Sequence, residues 1–427
     1  MADSDVIIIG AGAAGIAAAR HLQRQGLHCQ VLEAGDRLGG RAWSDGTSLG
    51  VPFDRGCAWF HCGGRNPLTT LADAHEITYG GDPWNAYFLD GRFLDAVESR
   101  QLRATVAADI QALCNAGLEG RDLPAGELLD GTVPHRAVRD YLISAINGVA
   151  ASEYASAEAA ADDDTGENWI VHQGIGTLMS RLAHGLDVIT GCAVRWVDTA
   201  GPEVRVGTDH GILTTAAVVV TVSTGVLAAE AIEFRPPLPE RKRQAVSALP
   251  MGIAEKVALR FVSNPFPYPP NTYLIVHTAG DAHAFGLHLC PAGHPVAVGY
   301  AGGPLAAWLN RQTDETAVEF ALDRLSRAFG DGLRDKVIAC TRTRWADDPL
   351  TRGSYSAARA GGGHASRRIL AEPVGERLFF AGEATDPTDF ATVHGAWQSG
   401  IRAALEVTAA LDESADHGGQ RRYGGYR

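Results

Sequence analysis

Three glycines spaced as Gly10, Gly12 and Gly15, set between a short β-branched run and an alanine-rich one, constrain this chain more than any other feature. Asp5 to Ile9 reads as a strand that stops at Gly10, Ile16 to Leu22 as a helix, and Cys29 to Leu32 as a second strand. Such a unit needs Gly10 for the tight turn, Gly12 so that backbone can approach a pyrophosphate, and Gly15 for close packing of helix on strand. The helix N-terminus then points unpaired N–H groups and a positive dipole end at the phosphates. Glu33 ends the second strand, eighteen residues after Gly15, where its carboxylate accepts from the ribose of an adenosine and repels a 2′-phosphate. NADP is disfavoured; NAD and FAD both remain open at this point.

With 427 residues the chain is long enough for two or three domains and a sizeable core. Its net charge of -13 would repel nucleic acid and anionic membrane, and would favour approach of a cationic small molecule, although acidity also simply keeps a protein soluble. The seven cysteines are scattered, with no CxxC pair, so neither a disulfide framework nor a zinc site is expected. The start is acidic and the apolar stretch Val6 to Ala19 is broken by glycines and too short to span a bilayer, which leads us to expect a cytoplasmic protein, monomer or homodimer, with no membrane or nucleic-acid partner.

Further along, about Thr70 to Ala160 is alanine-rich and helix-periodic, an inserted helical layer closed by the acidic loop Asp162 to Glu167. Strand-like runs recur from Val188 to Val222, and Ile232 to Pro239 reads as an extended crossing between domains. Val257 to Phe261, Thr272 to Val276, Ala284 to His288 and Val296 to Tyr300 are spaced like neighbours in an antiparallel sheet, followed by a helix near Thr316 to Phe329. Arg377 to Ala381 returns to the buried-strand type, Gly395 to Leu411 reads as a closing helix, and 412–427 as a mobile tail.

The residues after the first unit separate the two cofactors. Glu33-Ala-Gly-Asp-Arg37-Leu-Gly39-Gly40-Arg41 resembles the ExxxRxGGR continuation of the FAD-dependent amine oxidase and phytoene desaturase superfamily. Arg37 and Arg41 offer fork-shaped charge for a diphosphate, although a surface arginine cluster would look the same, and Gly39 and Gly40 let the chain pass close to it. A second half-site lies at the other end, Leu378-Phe-Phe-Ala-Gly382-Glu383-Ala-Thr385 followed by Ala391-Thr392-Val393-His394-Gly395-Ala396-Trp397. The resemblance implies that Gly382 and Glu383 meet the ribityl chain and pyrophosphate. It also implies that a helix starting near Val393 aims its positive end at the flavin's pyrimidine ring. Phe53-Asp54-Arg-Gly56-Cys-Ala-Trp59 with Asn66-Pro67, Gln173-Gly174-Ile-Gly176, and Trp345 with Gly353-Ser354-Tyr355 continue a colinear series over nearly the whole chain, with Val194 placed beside the adenine. The implied fold is α/β: a Rossmann-like FAD-binding domain from 1–75, 168–235 and 374–411, and a discontinuous substrate domain of antiparallel sheet plus helices from 76–167 and 236–373.

Ala391-Thr-Val-His-Gly-Ala396 resembles the polyamine oxidase and lysine-specific histone demethylase branch, in which a lysine holds a water against flavin N5. Lys256 matches that lysine. It is also one of only three lysines among 37 Lys and Arg, and a desolvated lysine exchanges protons near neutral pH where arginine does not. Tyr355 matches the aromatic that guides the amine's α-carbon, His61 falls where polyamine oxidases carry a residue near the distal nitrogen, and Trp345 is either cofactor wall or core. Thr392 stands where a second cage aromatic is often found, and Ser354 where monoamine oxidases carry a flavin-linking cysteine, so FAD is expected to be noncovalent. The implied reaction is hydride transfer from a neutral polyamine or monoamine to an imine that hydrolyses to aldehyde, with O2 reduced to H2O2. An L-amino-acid oxidase is the alternative, but its carboxylate-clamping arginine would sit at Trp59, leaving Arg65 or a middle-region arginine to serve. A carotenoid- or protoporphyrinogen-type desaturase and a flavoprotein chromatin factor are further alternatives, opposed by Lys256 with Tyr355 and by the acidic charge.

Overall fold

The first strand, Ser4–Ile9, is almost wholly buried because Val6 to Ile9 are apolar on both faces, as a strand inside a parallel sheet requires. This is a computed structural model, and it describes residues 3–81 and 83–417. Ser4–Ile9 pairs in parallel with Cys29–Leu32 on one side and with the second half of Gly211–Val220 on the other. Asp187–Ile189 extends the sheet beyond Cys29–Leu32. The long strand Gly211–Val220 changes partner along its length: its beginning joins an antiparallel meander with Val204–Thr208 and Val194–Asp198, and its end pairs in parallel with Leu378–Phe380. Chain segments more than three hundred residues apart are thereby stitched into one sheet.

Side chains alternate across this sheet and build two cores. Val6, Ile8, Val31, Val219 and Phe379 pack under the helix Ala13–Arg24 and the closing helix, while Ile7, Ile9, Val218, Val220 and Phe380 face the meander. A second, seven-stranded sheet is assembled from Val337–Arg342, Ala254–Phe261, Val296–Gly302, Phe285–Leu289, Thr272–His277, Trp84–Leu89 and Arg92–Phe93, in that order. Its neighbours are antiparallel except Thr272–His277 against Trp84–Leu89. The helix Asp314–Phe329 covers it through Ala317, Ala321 and Leu325.

Two expectations need correction. The helical layer does not begin at Thr70 and run on: Trp84–Leu89 and Arg92–Phe93 are strands, and the helices Ala96–Leu118, Arg136–Asn147 and Ser156–Ala161 follow them. The aromatic run alternates, with Tyr87 against Val138 and Tyr141 on one face and Ala86 and Phe88 in the sheet's main core on the other; this is a period of two that local alanine content masks. The closing helix runs Val393–His417, earlier and longer than Gly395 to Leu411, so the start of the expected tail is helical and 418–427 lie outside the described residues. Among the described residues no helix is long and apolar enough to cross a membrane.

Candidate active site

Residues of both sheets line one cavity of about 910 Å³. At its nucleotide arm, Gly10 at φ +103° turns the chain out of the first strand, and a Cβ on Gly15 would lie 1.9 Å from the Gly10 carbonyl oxygen. Gly15 therefore acts by packing and is absent from the wall, whereas Gly12 faces the cavity, with the nearest protein atom 4.0 Å from a Cβ position. No side chain caps the helix that starts at Ala13, so its first N–H groups meet the cavity. Glu33 is fixed at the edge by the Ala11 and Gly35 N–H groups at 2.8 and 2.7 Å, and Gly39, Gly40 and Val194 complete the arm. A glycine cradle, an open helix N-terminus and an acid at the far strand end fit an adenosine diphosphate.

The two arginines are used differently. Arg37 lies over the Trp43 ring, 4.2 Å from its centroid, and donates to the Gly40 carbonyl at 2.6 Å. Arg41 donates to Glu383 at 2.8 Å and to the Ser354 carbonyl at 3.0 Å. Glu383 accepts on one oxygen from Arg41 and the Ser356 N–H, and on the other from the Ser356 hydroxyl and the Ala391 N–H. All four of its lone-pair positions are thus engaged within the protein, which gives it an organising role. It ties Arg41, the short strand Tyr355–Ser356 and the Ala391 turn together around the cavity. Burial pushes the Glu383 pKa up, but Arg41 and Arg367 outweigh it and leave it lowered. Beside it, Thr392 caps the closing helix: its hydroxyl accepts from the Gly395 N–H at 3.0 Å and donates to the Asp389 carbonyl at 2.6 Å. Gly382, Thr392 and Val393 all reach the wall.

The other arm is aromatic. Lys256, 8% exposed on Ala254–Phe261, donates to the Asp54 and Gly56 carbonyls at 2.8 and 2.6 Å. Burial lowers its pKa to about 8 against the pull of Asp54 and Cys57, and burial raises Asp54 to about 6 against the Ser44 hydroxyl and Lys256. Tyr355 donates its hydroxyl proton to the Ala145 carbonyl at 2.6 Å. His61 Nδ1 lies 2.5 Å from the Asn168 Oδ1, which assigns the proton to Nδ1, and burial lowers its pKa. Trp345 donates from Nε1 to the Arg55 carbonyl at 3.0 Å and stands edge-on to Trp43, so it is both core and wall. Lys256, Tyr355, His61 and Trp345 are all brought to the cavity with the nucleotide arm.

Several lining residues escape the sequence reading. Tyr300 is the cross-strand partner of Lys256, a relation that follows once the two strands are paired in register. Tyr273 lines the same arm, and His288 stacks on Trp59 at 4.8 Å with its pKa lowered to about 3 by burial and by Lys256. Asp162 and Asp164, read only as the loop closing the helices, are on the wall with Asp389. Asp389 bonds His394, Arg65 and Gln398; burial pushes its pKa up, but these partners, His394 first, bring it down to about 2. Cys62, Asp389 and His394 bring potential ligand atoms within 4.8 Å of one another, but the Arg65 guanidinium already neutralises Asp389 there.

Residues 13–129 and 134–408 match the family model described as flavin containing amine oxidoreductase, and the chain belongs to that family. Its cofactor is FAD. Polyamine oxidase 2 of Arabidopsis thaliana is 31% identical over 93% of this chain and 87% of its own length. Lysine-specific histone demethylase 2 of Homo sapiens is 30% identical over 95% of this chain, which spans 54% of that protein. Among solved structures, a cyclohexylamine oxidase from Brevibacterium oxydans IH-35A superposes with a TM-score of 0.81 at 21% identity, covering 96% of this chain and 100% of that one. A double mutant of putrescine oxidase redesigned in cofactor binding gives 0.80 at 20% identity, over 95% and 99%.

Proposed function

We propose that this protein is an FAD-dependent amine oxidase that oxidises a polyamine or monoamine at the carbon α to nitrogen, using oxygen as acceptor. The observation that carries this reading is that the dinucleotide arm and the arm holding Lys256 and Tyr355 are one continuous cavity. FAD held by the glycine arm, Glu33 and the turn from Gly382 to Val393 would supply the hydride acceptor and the route for the electrons to oxygen, with hydrogen peroxide as product. Lys256, with two donors committed to carbonyls, keeps one N–H for a water at this end. The Tyr355 ring is anchored by its hydroxyl to Ala145, so its face is fixed for positioning the amine. Asp162 and Asp164 draw a protonated amine toward the cavity, and desolvation within it favours the neutral form that loses hydride. The imine product is hydrolysed by water to aldehyde plus amine or ammonia.

Ser354 exchanges two hydrogen bonds with the Ala254 backbone, at 2.8 and 2.7 Å, and offers no thiol for a covalent link, which supports noncovalent FAD. The L-amino-acid alternative loses its best candidate clamp, since Arg65 is ion-paired to Asp163 and Asp389 and does not line the cavity. Relatives that are polyamine oxidases favour a di- or polyamine among the possible substrates. Anaerobic mixing of the yellow protein with putrescine, spermidine, hexylamine or L-amino acids tests the reading: bleaching at 450 nm by the amines is expected. Bleaching by amino acids alone would move the assignment to the alternative.

A further inference from the structure

Four tyrosines meet at the aromatic arm, from Arg136–Asn147, Thr272–His277, Val296–Gly302 and Tyr355–Ser356. Following their protons gives the arm a polarity. Tyr141 Oη lies 3.0 Å from the Tyr300 carbonyl oxygen, which only accepts, so Tyr141 donates there. The 2.7 Å bond between the Tyr141 and Tyr273 hydroxyls is then donated by Tyr273. In the same way Tyr355 spends its proton on the Ala145 carbonyl, so the 3.1 Å bond between the Tyr300 and Tyr355 hydroxyls is donated by Tyr300. Tyr273 and Tyr300 both line the cavity and keep part of their surface open, whereas Tyr141 stands behind them. Room for the Tyr141 hydroxyl depends on Gly286, where a Cβ would fall 2.1 Å from it.

We infer that Tyr273 and Tyr300 are specificity-determining residues: with their protons committed to the Tyr141 and Tyr355 hydroxyls they offer only lone pairs to a ligand in the cavity, a wall that takes N–H donors and rejects carboxylates. Burial raises the pKa of Tyr300 to about 12 and that of Tyr273 as well, so the hydroxyls stay protonated and the pattern persists across the neutral and mildly alkaline range. The inference deepens the amine oxidase reading and rests on it for the class of substrate. It also differs from selection by the acidic residues at 162 and 164, because it depends on Tyr141, a side chain behind the cavity wall.

Tyr141→Phe separates the two mechanisms. It removes the acceptor of the Tyr273 proton, which is then free to turn into the cavity, while every carboxylate of the site stays in place. Calorimetric titration of the flavin-loaded protein, reduced with dithionite and kept anaerobic so that no hydride can be accepted, with n-pentylamine and with pentanoate reads the effect without turnover. The wild type is expected to bind the amine at least about tenfold more tightly, and Tyr141→Phe to narrow that ratio by about tenfold, the size of one hydrogen bond to a charged group. Tyr300→Phe, which deletes one acceptor, should weaken pentylamine severalfold and leave pentanoate unmoved. A wild type that takes pentanoate as tightly as the amine, or a folded Tyr141→Phe whose ratio stays within about twofold, overturns the inference. Should Tyr141→Phe not fold, an unchanged amine affinity in Tyr300→Phe does so alone. A protein whose flavin no amine reduces, but which prefers pentylamine and loses that preference in Tyr141→Phe, would sink the oxidase reading and leave the wall standing.

Discussion

Lys256 holds its ammonium under two backbone carbonyls at a site where burial disfavours its charge, and both facts bear on measurable behaviour. If it positions water for the redox chemistry, Lys256→Met should slow flavin reduction or reoxidation well beyond tenfold, more than about 1.4 kcal/mol in barrier, in stopped-flow traces at 450 nm. An unchanged rate removes it from the chemistry. The same residue makes a stability prediction whose sign is fixed. Its pKa falls from 10.5 to about 8 on folding, so between those values the unfolded chain carries a proton that the folded chain has released, and stability rises with pH. That contribution is fully present above 10.5 and is lost as pH falls through about 8. The charged or titrating groups facing it are Asp54, Cys57, His288 and Tyr300. Denaturant unfolding of wild type and Lys256→Met from pH 7.5 to 10 should show the wild type gaining on the variant by up to about 3 kcal/mol. Lys242, also lowered to about 8, is common to both proteins and cancels. A pH-independent difference between the two would mean that the amine titrates as it does in water.

Among the elements, the pairing that matters most to the site is that of the helix Ala13–Arg24 with the closing helix Val393–His417, since both begin at the cavity wall. They touch where Gly400 meets the Ala14 carbonyl, and a Cβ there would lie 2.1 Å from that oxygen. Gly400→Ala is therefore expected to push the helices apart, costing about 1–3 kcal/mol in denaturant unfolding and weakening FAD retention on gel filtration. Wild-type stability together with full flavin content would show that the contact yields freely. This pairing was half legible in sequence. The glycine turn, the buried strands and the second half-site carry strong local patterns, because a strand buried on both faces and a helix start beside a phosphate each restrict residue type. Trp84–Leu89 was hidden, since its strand character depends on a partner strand, Thr272–His277, far away in sequence. The protein donors to Glu383 are hidden for the same reason: they come from positions 41, 356 and 391, and no spacing reveals them. Tyr300 and Asp162 likewise gain meaning only through register and loop course.

At the scale of the whole molecule, the cavity wall is assembled from the first forty residues, the strand at Val194, the segment Trp345 to Tyr355 and the turn from Gly382 to Val393. No one of these segments forms the site, so a ligand that touches all of them binds only the fully assembled chain and leaves the unfolded one alone. By mass action such a ligand stabilises the fold by RT ln(1 + [L]/Kd), about 2.7 kcal/mol at a hundredfold excess over Kd. Stripping FAD should accordingly lower the melting temperature by about 3 °C or more, and adding it back should restore the loss with a logarithmic dependence on concentration. Adenosine diphosphate, which reaches only the arm of Gly10, Gly12 and Glu33, should recover only part of the shift. If it recovered all of it, the Lys256 and Glu383 sides of the cavity would contribute nothing to cofactor binding. The two half-sites would then be linked by the sheet alone, through the pairing of Val218–Val220 with Leu378–Phe380.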